Sequence, residues 1–112
     1  MVTSDQPYGL LREALWQLSL EPDEQRRQLA GAVVTDELAL DLDNAVSSLA
    51  HTASMGARPL SDEVTVELHR LNALIDAPPE DSLWEDAALD RHATWAEART
   101  VARRLLPLLP DR

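Results

Sequence analysis

Three apolar stripes at helical spacing constrain this chain more than any other feature. Leu38, Leu42, Ala45, Val46, Leu49 and Ala53 make the first. Leu60, Val64, Leu68, Leu71 and Ile75 make the second, and Trp95, Ala98, Ala102, Leu105 and Leu109 the third. Recurrence every three to four residues puts each set on one side of an α-helix. None of these segments is a stable helix alone in water, so each needs the others for burial. The expected fold class is therefore all-α, a single-domain bundle of five or six helices spanning residues 1–112. The long helix from about 35 to 56 is expected at its centre, with the two C-terminal segments packed on it.

That long helix opens in an ambiguous stretch, DELALDLD, residues 36–43. Leu38, Leu40 and Leu42 alternate as they would in a half-buried strand. The stretch lacks β-branched and aromatic residues, however, and NAVSSLAHTA continues the apolar pattern at helical spacing. A patterned segment of about 20 residues is a helix rather than a strand. Thr35 or Asp36 is the expected cap, and Gly56 and Pro59 mark the end. In a helix Leu40 points nearly opposite Leu38 and Leu42 and shares its face with Glu37, Asp43, Asn44, Ser47 and His51. Two readings stay open: a single exposed leucine, common on surfaces, or an apolar contact point ringed by acids that faces a partner. The neighbouring second helix is a further candidate to cover it.

The other elements follow from stripes and punctuation. A first helix over Asp5–Ser19 carries Tyr8, Leu11, Leu15 and Leu18. A second starts at Pro22, with Asp23 and Glu24 suited to its N-terminus, and stops near Gly31. Ser61 begins the next, with Asp62 and Glu63 in its first turn, and DAPPED is a loop. Ser82 and Glu85 have capping-box spacing, which predicts a short helix over Leu83–Leu89. Asp90 is the expected cap of the last helix, with Arg99, Arg103 and Arg104 near its C-terminal dipole and Pro107 and Pro110 ending it.

The net charge of −10 opposes binding to nucleic acid and to anionic membranes, and favours a basic protein partner. Residues 61–90 hold nine acids against the single base Arg70, a net of −8, while residues 91–112 carry a net of +3. There is no cysteine, hence no disulfide or thiol chemistry. The polar start MVTSDQPYG does not read as a signal peptide, and no apolar run approaches the roughly 20 residues of a membrane span. The expected location is cytoplasmic.

Candidate catalytic groups fail on spacing. The residues three before His51, His69 and His92 are Ser48, Val66 and Leu89, so the Glu-x-x-His pairs of a di-iron bundle are absent. Nucleophile, zinc and phosphate-loop motifs are absent too, and all three histidines read as surface residues. Glu21 and Glu24 give the first element of a helical nucleotide pyrophosphatase, but Pro22 interrupts it and no Glu-x-x-Asp follows. Glu37 and Asp41, one turn apart, complete the only set with which Mg²⁺ chemistry can be imagined, and a solvated helix face is the simpler reading. Trp84 and Trp95 read as core anchors. Trp16 lies away from the first helix's stripe, either folded under the next loop or exposed as an interface anchor.

DELALDLD followed by WEDAALDRHATWAEARTVARRLL resembles a group of small acidic α-helical proteins of high-GC Gram-positive bacteria, over roughly residues 20–109. That all ten basic residues are arginine accords with a GC-rich genome. In size and charge the chain is also similar in class to toxin-immunity proteins. These resemblances imply no catalytic residue and no cofactor. The expected function is a non-enzymatic binding module for a basic protein, in the form of an immunity protein blocking a toxin. Its expected contacts are Asp62, Glu63, Glu67, Asp76, Glu80, Asp81, Glu85, Asp86, Leu40 and Trp16. The alternatives are a metal-dependent pyrophosphohydrolase-like enzyme around Glu21, Glu24, Glu37 and Asp41, and a structural homodimer.

Overall fold

Leu11, Ala14, Leu15 and Leu18 are buried along one helix, which packs against two neighbours. In the computed structural model, which describes residues 8–110, this helix is α1 (Gly9–Ser19). It is followed by α2 (Pro22–Gln28), α3 (Val34–Ser47), α4 (Leu49–Ser54), α5 (Asp62–Leu74), α6 (Ala88–Arg91) and α7 (Ala93–Leu105). Ser82–Trp84 and Leu106–Leu108 form 3₁₀ turns, and α3 and α4 are divided only at Ser48. The fold is an all-α bundle, and no strand occurs among the described residues. No helix among them is long and apolar enough to cross a membrane.

The centre of the bundle is α1, not the long helix that the sequence favoured. It packs most extensively on α7 and α3, while α5 closes the remaining side against those two. One contiguous core results, with Trp95 at 2% exposure among Leu15, Leu38, Leu42, Leu68, Leu71, Leu89 and Leu105. Trp95 Nε1 donates to the Leu83 carbonyl at 2.9 Å, which satisfies the indole's polar atom in the interior.

Several expected boundaries move, each for a local reason. The part of the first helix expected before Tyr8 lies outside the described residues. Thr35 does not cap α3; it is buried, and its hydroxyl donates to the Trp84 carbonyl at 2.7 Å, while Val33 takes the cap position without a side-chain bond. The long helix breaks at Ser48, whose hydroxyl bonds back to the Asn44 carbonyl at 2.8 Å. The helix α2 ends at Gln28, and Gly31 (φ 93°) makes the turn beyond it. The Ser82/Glu85 capping box does not form. Asp81 instead accepts from the Leu83 amide at 2.9 Å, opening a 3₁₀ turn, and the helix proper waits until Ala88. Nor does Asp90 cap the last helix: His92 does, its Nδ1 accepting from the Thr94 amide at 3.2 Å, so it is a half-buried structural residue.

Arg99 and Arg103 serve a different helix end from the one expected. The guanidinium of Arg99 donates to the carbonyls of Leu20 (3.0 Å) and Leu89 (3.3 Å). That of Arg103 donates to the Ser19 carbonyl (2.8 Å). Buried Gln25 adds bonds to the carbonyls of Gln17 (3.0 Å) and Leu18 (3.3 Å). The orphan carbonyls and negative dipole end of α1 are thereby neutralised by α2 and α7.

Candidate functional site

Which acids remain uncompensated depends on where the arginines go. Arg26 pairs with Asp86 (3.0 Å), Asp90 (2.6 Å) and Asp23 (3.3 Å), pinning α2 to the chain around α6. Arg103 pairs with Glu21 at 2.7 Å, Arg104 and Arg70 with Glu67 at 2.9 and 3.5 Å, and Arg27 with Glu24. The Arg103 hydrogen bond holds the Glu21 carboxyl below its ordinary range. Arg26 does the same for Asp90, and its own guanidinium is stabilised in return, first of all by that bond. These acids belong to the scaffold. Asp36, Glu37, Asp41 and Asp43 on α3, with Asp62, Glu63, Asp76, Glu80 and Glu85, form no ion pair among the described residues.

Three of these carboxylates line one groove. Asp36, Ala39, Leu40 and Asp43 from α3 face His69, Asn72 and Ala73 from α5, and Ile75, Asp76 and Trp84 complete a groove of about 590 Å³. Leu40 is 53% exposed, so the helical reading of DELALDLD holds and α2 does not cover this leucine. The walls are braced. Asn72 Nδ2 donates to Asp43 Oδ1 at 3.0 Å, tying α5 to α3. Trp84 Nε1 donates to the Pro78 carbonyl at 2.9 Å, and its ring meets Trp95 edge-on at 6.4 Å and 73°. Trp84 is thus half-buried, anchored on one side and lining the groove on the other.

The other two acids of DELALDLD serve a different flank. Asp41 is half-buried, and its carboxyl is pushed above its ordinary range, first by burial and then by the charges of Glu37 and of Glu13 on α1.

The remaining expected contacts are dispersed. Asp62 and Glu63 sit at the opposite end of α5 from Asp76, about 20 Å away along a helix of 13 residues. Glu67 lines a second, mixed-charge groove of about 580 Å³ between α5 and α7, with Arg70 and Arg104. Glu80 is exposed in the Pro78–Pro79 loop, and Asp81 is spent on its cap. Glu85 lines a shallow depression with Arg91 and His92, and Asp86 is held by Arg26. Trp16 is 38% exposed and is not among the groove residues. Only Leu40 and Asp76 of the expected contacts come together here. Asp36, Asp43 and Trp84 join them; the spacing of 36, 40 and 43, four and then three residues, was the signal for the first two.

The chemistry on offer is recognition of cations beside an apolar contact. Among the described residues no group of three or more His, Asp or Glu stands close enough to hold a metal ion. Glu21 and Glu24, two of the four acids considered for Mg²⁺, are engaged by Arg103 and Arg27. No protein-family model, curated protein or solved structure matches the chain.

Proposed function

We propose that the protein is a non-enzymatic binding module that captures a basic protein partner through the Leu40 groove, and that it acts as an immunity protein neutralising a basic toxin. The observation that carries this reading is that Asp36, Asp43 and Asp76, acids that no arginine among the described residues pairs, line one groove with the exposed Leu40. Long-range attraction from the net charge of −10 speeds encounter, and desolvation of Leu40 and Trp84 against a partner supplies the short-range contact. Immobilised protein should retain a basic partner from the source cell at low ionic strength. Retention should fall steeply with salt, because exposed charges are screened over about 10 Å at 0.1 M. An Asp36→Asn/Asp43→Asn/Asp76→Asn variant should lose that partner, and co-expression of the wild type, but not of this variant, should relieve its toxicity. Capture that ignores both salt and the triple variant would refute the reading.

A further inference from the structure

The spacing of the groove residues restricts what kind of basic segment fits. Asp36, Leu40 and Asp43 lie at positions i, i+4 and i+7 of α3 and line the same groove. At a rise of 1.5 Å per residue the two carboxylates are about 10 Å apart along the helix axis, with Leu40 about 6 Å from the first. A partner must therefore offer two cations about 10 Å apart with an apolar side chain between them, all on one side. In an extended segment, 10 Å is about three residues, and residues an odd number apart point to opposite faces. In a helix, 10 Å is about seven residues, which return to the same face, as do those three or four apart. The site is also an open groove between two helices, α3 and α5, the shape into which a third helix lays a ridge of side chains.

We propose, building on the basic-partner reading above, that the occupant is a basic amphipathic helix lying along α3. Its recognition face carries two arginines seven residues apart with a leucine-like residue between them, three or four residues from each. The cations meet Asp36 and Asp43, and the apolar residue meets Leu40. Asp76 and Trp84 also line the groove and add a carboxylate and an aromatic ring to it. That combination favours arginine over lysine, since a guanidinium both bridges a carboxylate and stacks on a ring. Asp43 is already oriented by Asn72, so little ordering is required when the cation arrives.

The test uses synthetic helical peptides on an Ala/Gln background, titrated into the full chain by calorimetry at low and at physiological salt. One carries Arg-x-x-x-Leu-x-x-Arg and a second the reversed order, since α3 alone does not fix direction. A control of identical composition moves the second arginine two positions, rotating it off the face. Whichever matched peptide binds should do so about fivefold more tightly than the control, the worth of the one well-placed exposed ion pair that the control lacks. Leu40→Ser should weaken the matched peptide by removing the apolar contact, and Asp36→Asn or Asp43→Asn should each weaken it a few-fold; these positions are solvent-exposed, so the variants fold. Equal binding of matched and control peptides, or binding indifferent to Leu40→Ser, would overturn the proposal. If the peptides fail to discriminate while Asp36→Asn/Asp43→Asn/Asp76→Asn still abolishes capture of a natural partner, the helix is wrong and the basic-partner reading survives. If the triple variant captures that partner as well as the wild type, the reading itself fails.

Discussion

Leu40 and Leu42 are two residues apart, chemically identical, and distinguish a helix from a strand with two substitutions. Leu42 is 0% exposed in the core, whereas Leu40 is 53% exposed. Leu42→Ala deletes buried methyl groups and leaves a cavity, at a cost of about 2–5 kcal/mol. Leu40→Ala removes atoms already largely in water and should change stability by no more than about 0.5 kcal/mol. An unfolding entropy of roughly 2.1 cal/mol/K per residue gives about 0.24 kcal/mol/K for a chain of 112 residues. One kcal/mol is then about 4 °C in Tm, so Leu42→Ala should lower Tm by roughly 8–20 °C and Leu40→Ala by about 2 °C or less. Thermal unfolding followed by far-ultraviolet circular dichroism on both variants and the wild type measures this. Were DELALDLD a strand, the two leucines would share a face and the losses would be similar. Similar losses would therefore refute the helical register and the groove built on it.

Charge and backbone geometry lead to further expectations. The raised pKa of Asp41 means that folded-state stability is fully present below the ordinary carboxylate value and declines as pH rises through the shifted one. Asp41→Asn should thus melt higher than wild type at pH 7, with the gap closing on acidification; a gap that widens at low pH contradicts the assignment. The lowered pKa of Asp90 works in the opposite sense, contributing stability above the ordinary carboxylate value that is lost as pH falls through the shifted one. Arg26→Ala should therefore melt lower at pH 7 and lose less between pH 7 and pH 3, and acid sensitivity equal to wild type would tell against the Arg26–Asp90 pair. Gly31 has φ 93° with open space where a Cβ would stand. Gly31→Ala should cost about 1–2 kcal/mol through backbone strain alone, and an unchanged chemical denaturation midpoint would show the turn to be different.

The long apolar stripes were legible because burial on one side of a helix leaves a period in the sequence. Leu38, Leu42, Ala45, Val46, Val64, Leu68, Leu71, Ile75, Trp95, Ala98, Ala102, Leu105 and Leu109 are buried as their spacing implies, whereas Leu49 and Leu60 at the stripe ends are half-buried and Ala53 is exposed. The short elements were not, because their ends depend on tertiary bonds. Thr35 reaches the Trp84 carbonyl 49 positions away, and Arg26 claims Asp90 from 64 positions away. Local capping rules cannot see either partner. The acidic segment had a similar limit: composition gave its charge, but which acids stay free was decided by arginines from α2 and α7. Leu40 was conspicuous because it broke its own helix's period. The four-residue spacing put Asp36 on the side of Leu40, but that side became a groove only once α5 and Trp84 closed it.

Amide chemical-shift mapping tests the central claim most directly. Isotope-labelled protein would be titrated with an arginine-bearing amphipathic helical peptide at moderate salt, following every backbone amide. Binding in the groove predicts perturbations concentrated at residues 36–43, 69–76 and 84, together with the Trp84 indole signal, and weak effects at Asp62, Glu63, Glu80 and Glu85. Shifts spread evenly over all exposed acids, or confined to the start of α5 and the Pro78–Pro79 loop, would contradict it.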